Sequence, residues 1–278
     1  MQNVKLNNGL EMPMLGYGVF RVEDGQNAVE SIKVALESGY RSIDTAAAYR
    51  NEKSVGTAMK ESGVPRGDIF LTTKLTNPDQ RSGEVEAAFE KSLNELGTDY
   101  VDLYLIHWPV KEKIVETWLA FEKIYKSGRA KSIGISNFQI HHIEELKKVW
   151  SVVPVMNQIE MHPRLTQKPL IEFCKSVDII PESWSPLGGT WPDGIQDSLL
   201  DNEVLVKIGE KYGKSSAQVI LRWNIELGVV TIPKSVTPSR IKDNINIFDF
   251  KLTAEDIAAI DALNMDRRVG PDPDNFNF

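Results

Sequence analysis

The chain has 278 residues, 41% hydrophobic and 26% charged, with 32 Lys plus Arg against 39 Asp plus Glu and a net charge of −7. Those proportions exclude disordered, collagen-like and disulfide-framework classes. The negative balance argues against a bulk binder of nucleic acid or anionic membrane, because both need a positive field. A chain of this length can bury roughly 75% of the surface it exposes when unfolded, and α/β barrels run to roughly 250 residues as one domain.

The head of the chain, Val4 to Met12, carries an Asn8-Gly9 turn between short strand-like pieces, a hairpin signal. Apolar, β-branched runs then recur as candidate strands: Leu15–Phe20, Arg41–Thr45, Ile69–Leu75, Val101–His107, Ser132–Ser136, Val155–Glu160, Ile179–Trp184 and Val229–Pro233. Several are nearly continuous, as strands buried on both faces should be. Helical patterns lie between them. Ala28, Val29, Ile32, Ala35 and Leu36 share one face, as do Val85, Ala88, Phe89, Leu93 and Leu96. Gly39, Gly63, Gly97, Gly128 and Gly228 follow periodic runs where a left-handed residue would end a helix. The interval from Ile179 to Val229 is the longest and has room for an extra loop and helix.

Repeated strand, helix, glycine, strand implies parallel strands with crossover helices. Eight units predict a (β/α)8 TIM barrel, α/β in class, with the N-terminal hairpin plugging its bottom. The alternative, an open doubly wound sheet, would announce a dinucleotide site with Gly-x-Gly-x-x-Gly. Gly16-Tyr17-Gly18 lacks the third glycine. No linker or composition break divides the chain, so residues 1–278 read as one domain. The single cysteine, Cys174, excludes an intrachain disulfide and reads as a buried structural thiol. No basic, apolar leader and no run near the ~18 residues that span a bilayer occur. The expectation is a cytoplasmic monomer.

In such barrels the working residues come from the C-terminal ends of strands. Asp44, Tyr49, Lys74 and His107 all fall there. A buried lysine needs a partner, and Asp44 on the adjacent strand is the candidate. A cation beside Tyr49 should lower its phenol pKa and make it a usable acid, while His107 could orient a carbonyl. Singly, each has a plain structural reading: a half-buried tyrosine, an ion pair, a core histidine. Together they describe carbonyl reduction.

After the last strand, Lys234, Ser235, Val236, Thr237 and Arg240 bring two cations and two hydroxyls together, with Thr237 placed to cap a helix starting at Pro238. That is a phosphate site, weighed against a solvated charged loop. The four histidines, His107, His141, His142 and His162, form no metal-ligand pattern. His141 and His142, adjacent on a helix, are expected to point apart.

The motifs Gly39-Tyr40-Arg41-Ser42-Ile43-Asp44-Thr45-Ala46, Thr73-Lys74, Asp102-Leu103-Tyr104-Leu105-Ile106-His107-Trp108-Pro109, Gly134-Ile135-Ser136-Asn137-Phe138, Asn157-Gln158-Ile159-Glu160, Ser183-Trp184-Ser185-Pro186-Leu187 and Ile232-Pro233-Lys234-Ser235-Val236 together resemble the aldo-keto reductase superfamily over essentially the whole chain. The short loops are similar to the prokaryotic glyoxal/methylglyoxal reductase and 2,5-diketo-gluconate reductase branch, related to prostaglandin F synthases. The resemblance implies extended NADPH binding and reduction of aldehydes and ketones (2-oxoaldehydes, keto-sugars, aromatic aldehydes). It implies Tyr49 as acid, tuned by Lys74 and Asp44, with His107 orienting the carbonyl. Gly18 and Val19 would line the cofactor. Ser136, Asn137 and Gln158 would hold the nicotinamide carboxamide, and Trp184 would stack on its ring where the family often has Tyr. Ser185 and Leu187 would follow the pyrophosphate. Lys234, Ser235 and Arg240 would hold the 2′-phosphate, Val236 and Thr237 would also contact the cofactor, and Asn244 would meet the adenine.

Phe20, Trp108 and Trp191 are expected to wall the substrate pocket. The stretch 188–194 reads as a mobile loop over the cofactor, and the tail from Pro271 as short enough to leave a wide mouth. Two competing readings are a Schiff-base lyase with Lys74 as nucleophile and a non-catalytic regulatory subunit, as the family's potassium-channel β-subunits are.

Overall fold

The structure is a computed structural model, and it describes residues 1–189 and 198–278. Two short strands, β1 (Asn3–Lys5) and β2 (Glu11–Pro13), pair antiparallel around the Asn8-Gly9 turn, where Gly9 has φ +89°. Eight parallel strands follow: β3 (Tyr17–Gly18), β4 (Ser42–Asp44), β5 (Phe70–Leu75), β6 (Leu103–Ile106), β7 (Ile133–Ser136), β8 (Met156–Glu160), β9 (Ile180–Trp184) and β10 (Val230–Thr231). Each pairs with the next in order from β3 to β10. Leu15 bridges in parallel to Thr231, and the Gly16 N–H donates to the Thr231 carbonyl at 2.9 Å. These bonds close the expected barrel. The closing strands are shorter than the sequence runs suggest. Pro233 has no N–H to extend the ladder.

The helices are α1 (Gln26–Glu37), α2 (Glu52–Glu61), α3 (Asn77–Ser82), α4 (Val85–Leu96), α5 (Ile114–Lys126), α6 (Ile140–Lys147), α7 (Lys168–Ser176), α8 (Glu203–Tyr212), α9 (Ser216–Glu226), α10 (Pro238–Asn244) and α11 (Ala254–Asp261). The apolar faces read from the sequence are the buried ones: α1 buries Ala28, Val29, Ile32, Ala35 and Leu36. The long interval before β10 holds both α8 and α9. Among the described residues no helix is long and apolar enough to cross a membrane.

The hairpin lies at the N-terminal end of the barrel. Leu6 and Met12 pack in one buried cluster with Phe70, Leu103, Val155 and Val230, which stand at or just before their strands' first residues. The Asn7 amide donates to the Pro154 and Asp178 carbonyls at 3.0 and 2.9 Å. The bottom is therefore plugged, and chemistry is left to the opposite end.

Close packing of the outer helices depends on Gly56 in α2. A Cβ there would stand 2.3 Å from the Leu96 carbonyl oxygen at the end of α4. Alanine ordinarily gains about 1 kcal/mol over glycine inside a helix. Here the obstacle is backbone that cannot swing aside, and overpacking costs about 1–3 kcal/mol. Gly56→Ala should therefore lower the thermal unfolding midpoint; an unchanged or raised midpoint would refute this account of the α2–α4 contact.

Candidate active site

The C-terminal ends of the strands bring the expected residues together. Asp44 ends β4, Lys74 is the penultimate residue of β5, and His107 follows β6. Tyr49 ends a single 3-10 turn after β4. Lys74 is 0% exposed. Its Nζ donates to Asp44 Oδ1 at 2.6 Å, to the Thr45 carbonyl at 2.8 Å and to the Tyr49 hydroxyl at 3.3 Å. A buried ammonium is tolerable only with such partners. The His107 ring stands edge-on to Tyr49, centroids 5.6 Å apart.

Electrostatics correct one expectation. The Tyr49 phenol pKa is raised, not lowered: burial pushes it up, and the Lys74 charge pulls down by less. The phenol thus keeps its proton at neutral pH, as an acid must. Lys74 then stabilises the negative charge only as it develops. Burial alone would depress Lys74, but Asp44 and its other partners outweigh that and hold it above its ordinary value. A Schiff-base nucleophile needs a neutral amine, so Lys74 does not fit the lyase reading. Burial, with Lys74 adding, holds His107 down to about 3. Its imidazole is neutral at working pH and can donate one N–H to a carbonyl oxygen.

Ser136, Asn137 and Gln158 also converge, and they are largely engaged with protein. The Ser136 hydroxyl donates to the Gln158 carbonyl at 2.9 Å. Asn137, at φ +65°, donates through Nδ2 to the His107 carbonyl at 2.9 Å and to Ser136 Oγ at 3.1 Å. Its Oδ1 accepts from Trp184 Nε1 at 2.8 Å. Tryptophan thus orients this amide, a bond a tyrosine ring at 184 could not make in the same way. Gln158 Nε2 donates to Asp44 Oδ2 at 2.8 Å and to Glu182 Oε2 at 2.6 Å. Its amide oxygen is what it has left to offer a carboxamide.

Gly18 is bare where a Cβ would stand 3.0 Å from the Ile232 carbonyl. Val19 is a correction: its side chain is fully buried, its N–H donates to the Asp44 carbonyl at 3.1 Å and its carbonyl accepts from Asn51 at 2.9 Å. It offers a ligand neither an open side-chain surface nor a free N–H. Ser185 adopts φ +49°, and Leu187 packs on the core from a half-buried position. The loop after β10 is fastened to β3 by Tyr17, whose hydroxyl donates to the Ser235 carbonyl at 2.5 Å. Lys234, Val236, Thr237 and Arg240 are exposed and Ser235 is half-buried. Thr237 holds the cap position of α10, but its side chain makes no capping bond; its N–H donates to Ser235 Oγ at 3.1 Å. Among the described residues no carboxylate pairs with Lys234 or Arg240. Asn244 is 6% exposed, so it offers an adenine little surface in this state.

Phe20 is exposed, with its ring 5.1 Å from that of Tyr49. Trp108 is buried against Phe276 and Phe278, centroids 5.2 and 5.4 Å away. Trp191 lies outside the described residues, as does most of 188–194.

Several features escaped the sequence reading. The tail folds onto Trp108 rather than leaving that wall open. Glu160 fastens the segment before it, accepting from the Val269 and Gly270 N–H groups at 2.5 and 3.2 Å. Glu182 is buried beside Gln158. His141 and His142 do not diverge: both Nε2 atoms reach Asp274 Oδ1, at 3.0 and 3.4 Å. His142 Nδ1 accepts the Gln139 N–H, which puts its proton on Nε2 and suits donation to Asp274 better than metal ligation. Cys174 is the buried thiol expected, with burial raising it to about 11.

A sequence model of the aldo/keto reductase family matches residues 14–265. Glyoxal reductase of Bacillus subtilis is 57% identical over 275 residues, covering 99% of this chain and 97% of that protein. Methylglyoxal reductase DkgA of Escherichia coli is 45% identical, covering 98% and 97%. The solved Bombyx mori aldo-keto reductase in complex with NADP superposes with a TM-score of 0.91 at 37% identity, covering 98% of this chain and 96% of that one. The chain belongs to the aldo/keto reductase family and is a carbonyl-reducing oxidoreductase.

Proposed function

We propose that this chain reduces small aldehydes and ketones, 2-oxoaldehydes foremost, to alcohols with NADPH, Tyr49 being the proton donor. One observation carries the reading: the Tyr49 hydroxyl stands 3.3 Å from a buried lysine that Asp44 holds at 2.6 Å, with a neutral His107 against the same ring.

The residues present fit the cofactor. Lys234 and Arg240 are solvent-facing cations without carboxylate partners among the described residues, the chemistry a 2′-phosphate requires. The half-buried face of Trp184 offers a flat surface on which a nicotinamide ring would stack. NADPH, when bound, supplies the hydride to the carbonyl carbon. His107 donates an N–H to the carbonyl oxygen and fixes it beside Tyr49. The Tyr49 O–H bond breaks as a new O–H bond forms on that oxygen. The phenolate left behind faces Lys74 Nζ. Phe20, Trp108, Phe276 and Phe278 give the mouth aromatic walls, which exclude water from small carbonyls.

The same reading takes residues 1–278 as one barrel domain, a monomer of the cytoplasm. Its lone cysteine is buried and cannot pair within the chain, which suits a reducing compartment.

The test is a carbonyl panel of 2-oxoaldehydes, keto-sugars, aromatic aldehydes and quinones, assayed with NADPH and with NADH. Turnover with none of them would overturn the reading. Arg240→Ala should raise the KM for NADPH about tenfold or more, since a hydrogen bond to a charged group is worth about 1.5–3 kcal/mol, and leave that for NADH nearly unchanged. Equal effects on both cofactors would refute the phosphate assignment.

A further inference from the structure

Beneath the four catalytic side chains lies a carboxyl that proton donation by Tyr49 does not use directly. Glu182, in the middle of β9, is 0% exposed. Its Oε2 accepts from Gln158 Nε2 at 2.6 Å, and the same nitrogen donates to Asp44 Oδ2 at 2.8 Å. One amide therefore spans two carboxyl groups, and the second of them holds Lys74. Glu182 Oε1 is buried with no partner. An ionised carboxylate with a bare buried oxygen costs more than a neutral acid in the same place.

We propose that Glu182 is a positioning residue of the reduction: through the Gln158 amide it fixes the carboxylate that holds Lys74, and its own ionisation sets an alkaline limit on proton donation by Tyr49. The inference rests on the carbonyl-reductase reading above. It concerns a residue outside the Asp44, Tyr49, Lys74 and His107 set.

The charges acting on Glu182 are Asp44 from β4 and Lys74 from β5. From β8 it meets the uncharged Gln158, and from β10 its register partner is Val230. Burial first, and then the Asp44 charge, push its carboxyl up to about 8. Below that pH the site holds one anion, one cation and one phenol. Above it a second anion appears, and its charge raises the Tyr49 phenol further. Tyr49 then parts with its proton less readily, and reduction slows.

Glu182→Gln keeps an oxygen to accept from Gln158 but cannot ionise. Glu182→Leu removes the acceptor and leaves one Gln158 N–H bare. Wild-type kcat for reduction should fall as pH rises through about 8, and Glu182→Gln should lack that inflection. Glu182→Leu should lower kcat at pH 7 and raise the KM for NADPH, each by about tenfold, the cost of one unmade buried hydrogen bond. Glu182→Gln should restore most of both. Carbon-13 NMR of the cofactor-free protein gives a readout independent of turnover: a glutamate carboxyl signal should titrate near pH 8 and vanish in Glu182→Gln. Should Glu182→Leu not fold, the Glu182→Gln profile and the NMR titration decide alone. An inflection retained in Glu182→Gln, or a Glu182 carboxyl that titrates in the ordinary acid range, overturns the inference while leaving the reductase reading intact. Absence of any NADPH-dependent turnover in the wild-type chain overturns both.

Discussion

Tyr49→Phe should abolish most carbonyl reduction while leaving the fold and NADPH binding nearly intact. General acid catalysis contributes roughly 10²–10⁴-fold, so kcat should fall by about a thousandfold. Phenylalanine keeps the ring that packs against Phe20 and His107 and deletes only the hydroxyl. The hydroxyl's contact with Lys74 is the longest of that ammonium's three, at 3.3 Å against 2.6 and 2.8 Å. Losing it leaves the Asp44 and Thr45 bonds in place, and folding should suffer by less than about 1 kcal/mol. Because burial raises the Tyr49 phenol, the wild-type acid keeps its proton across neutral pH, and its own deprotonation should set no alkaline limb there. The checks are steady-state turnover of a 2-oxoaldehyde and NADPH binding by fluorescence quenching. Undiminished turnover would remove Tyr49 from the acid role; lost NADPH binding would show that the substitution acts on the cofactor instead.

The parts of this fold legible in the sequence are those set by local chemistry. Gly39, Gly63, Gly97, Gly128 and Gly228 all have positive φ, because each ends a helix in a conformation only glycine takes at little steric cost. The Asn8-Gly9 turn fixed the hairpin for the same reason. Asp44, Lys74 and His107 were legible because a polar residue at the end of an apolar strand is conspicuous. The misses are all balances or long-range contacts. The direction of the Tyr49 shift depends on how far burial outweighs Lys74, and a residue list cannot weigh that. Glu182 reads as one acidic residue in Ile180-Pro181-Glu182-Ser183-Trp184. Its meaning comes from Gln158 and from Asp44, which lies 114 residues from Gln158 in the chain. The tail reads as too short to narrow the mouth. Its two phenylalanines meet Trp108 in a tail fastened from distant parts of the chain, by Glu160 on the Val269–Gly270 backbone and by Asn77 and Arg81 on the Phe278 carbonyl. His141 and His142 were expected to diverge as helix neighbours. They sit in the first turn of α6, where both nitrogens reach the tail's Asp274.

Lys74→Met should combine the largest stability loss with a loss of turnover. Methionine fills much of the aliphatic stem's space but offers no donor. Asp44 would keep only the Gln158 contact at 2.8 Å, and the Thr45 carbonyl would lose its 2.8 Å partner. Removing one member of a buried ion pair costs about 3–5 kcal/mol, because the other charge is left uncompensated. For a chain this size that is a fall of about 10 °C in the thermal midpoint. The pH dependence follows from the direction of the Lys74 shift. Its value in the folded chain is raised above the ordinary 10.5, so the pair contributes fully below that pH and is lost as pH rises through the folded value. The gap between wild type and variant should hence be constant through the neutral range and narrow only in strong alkali. The double variant Asp44→Asn/Lys74→Met separates structure from chemistry. Replacing both members of a buried pair by neutral groups is often close to neutral for stability, so the midpoint should recover substantially. Turnover should not recover, because nothing cationic then faces Tyr49 as its proton leaves. A double variant that regains both would show that the pair serves only the fold, and a single variant with wild-type midpoint and turnover would remove Lys74 from both roles.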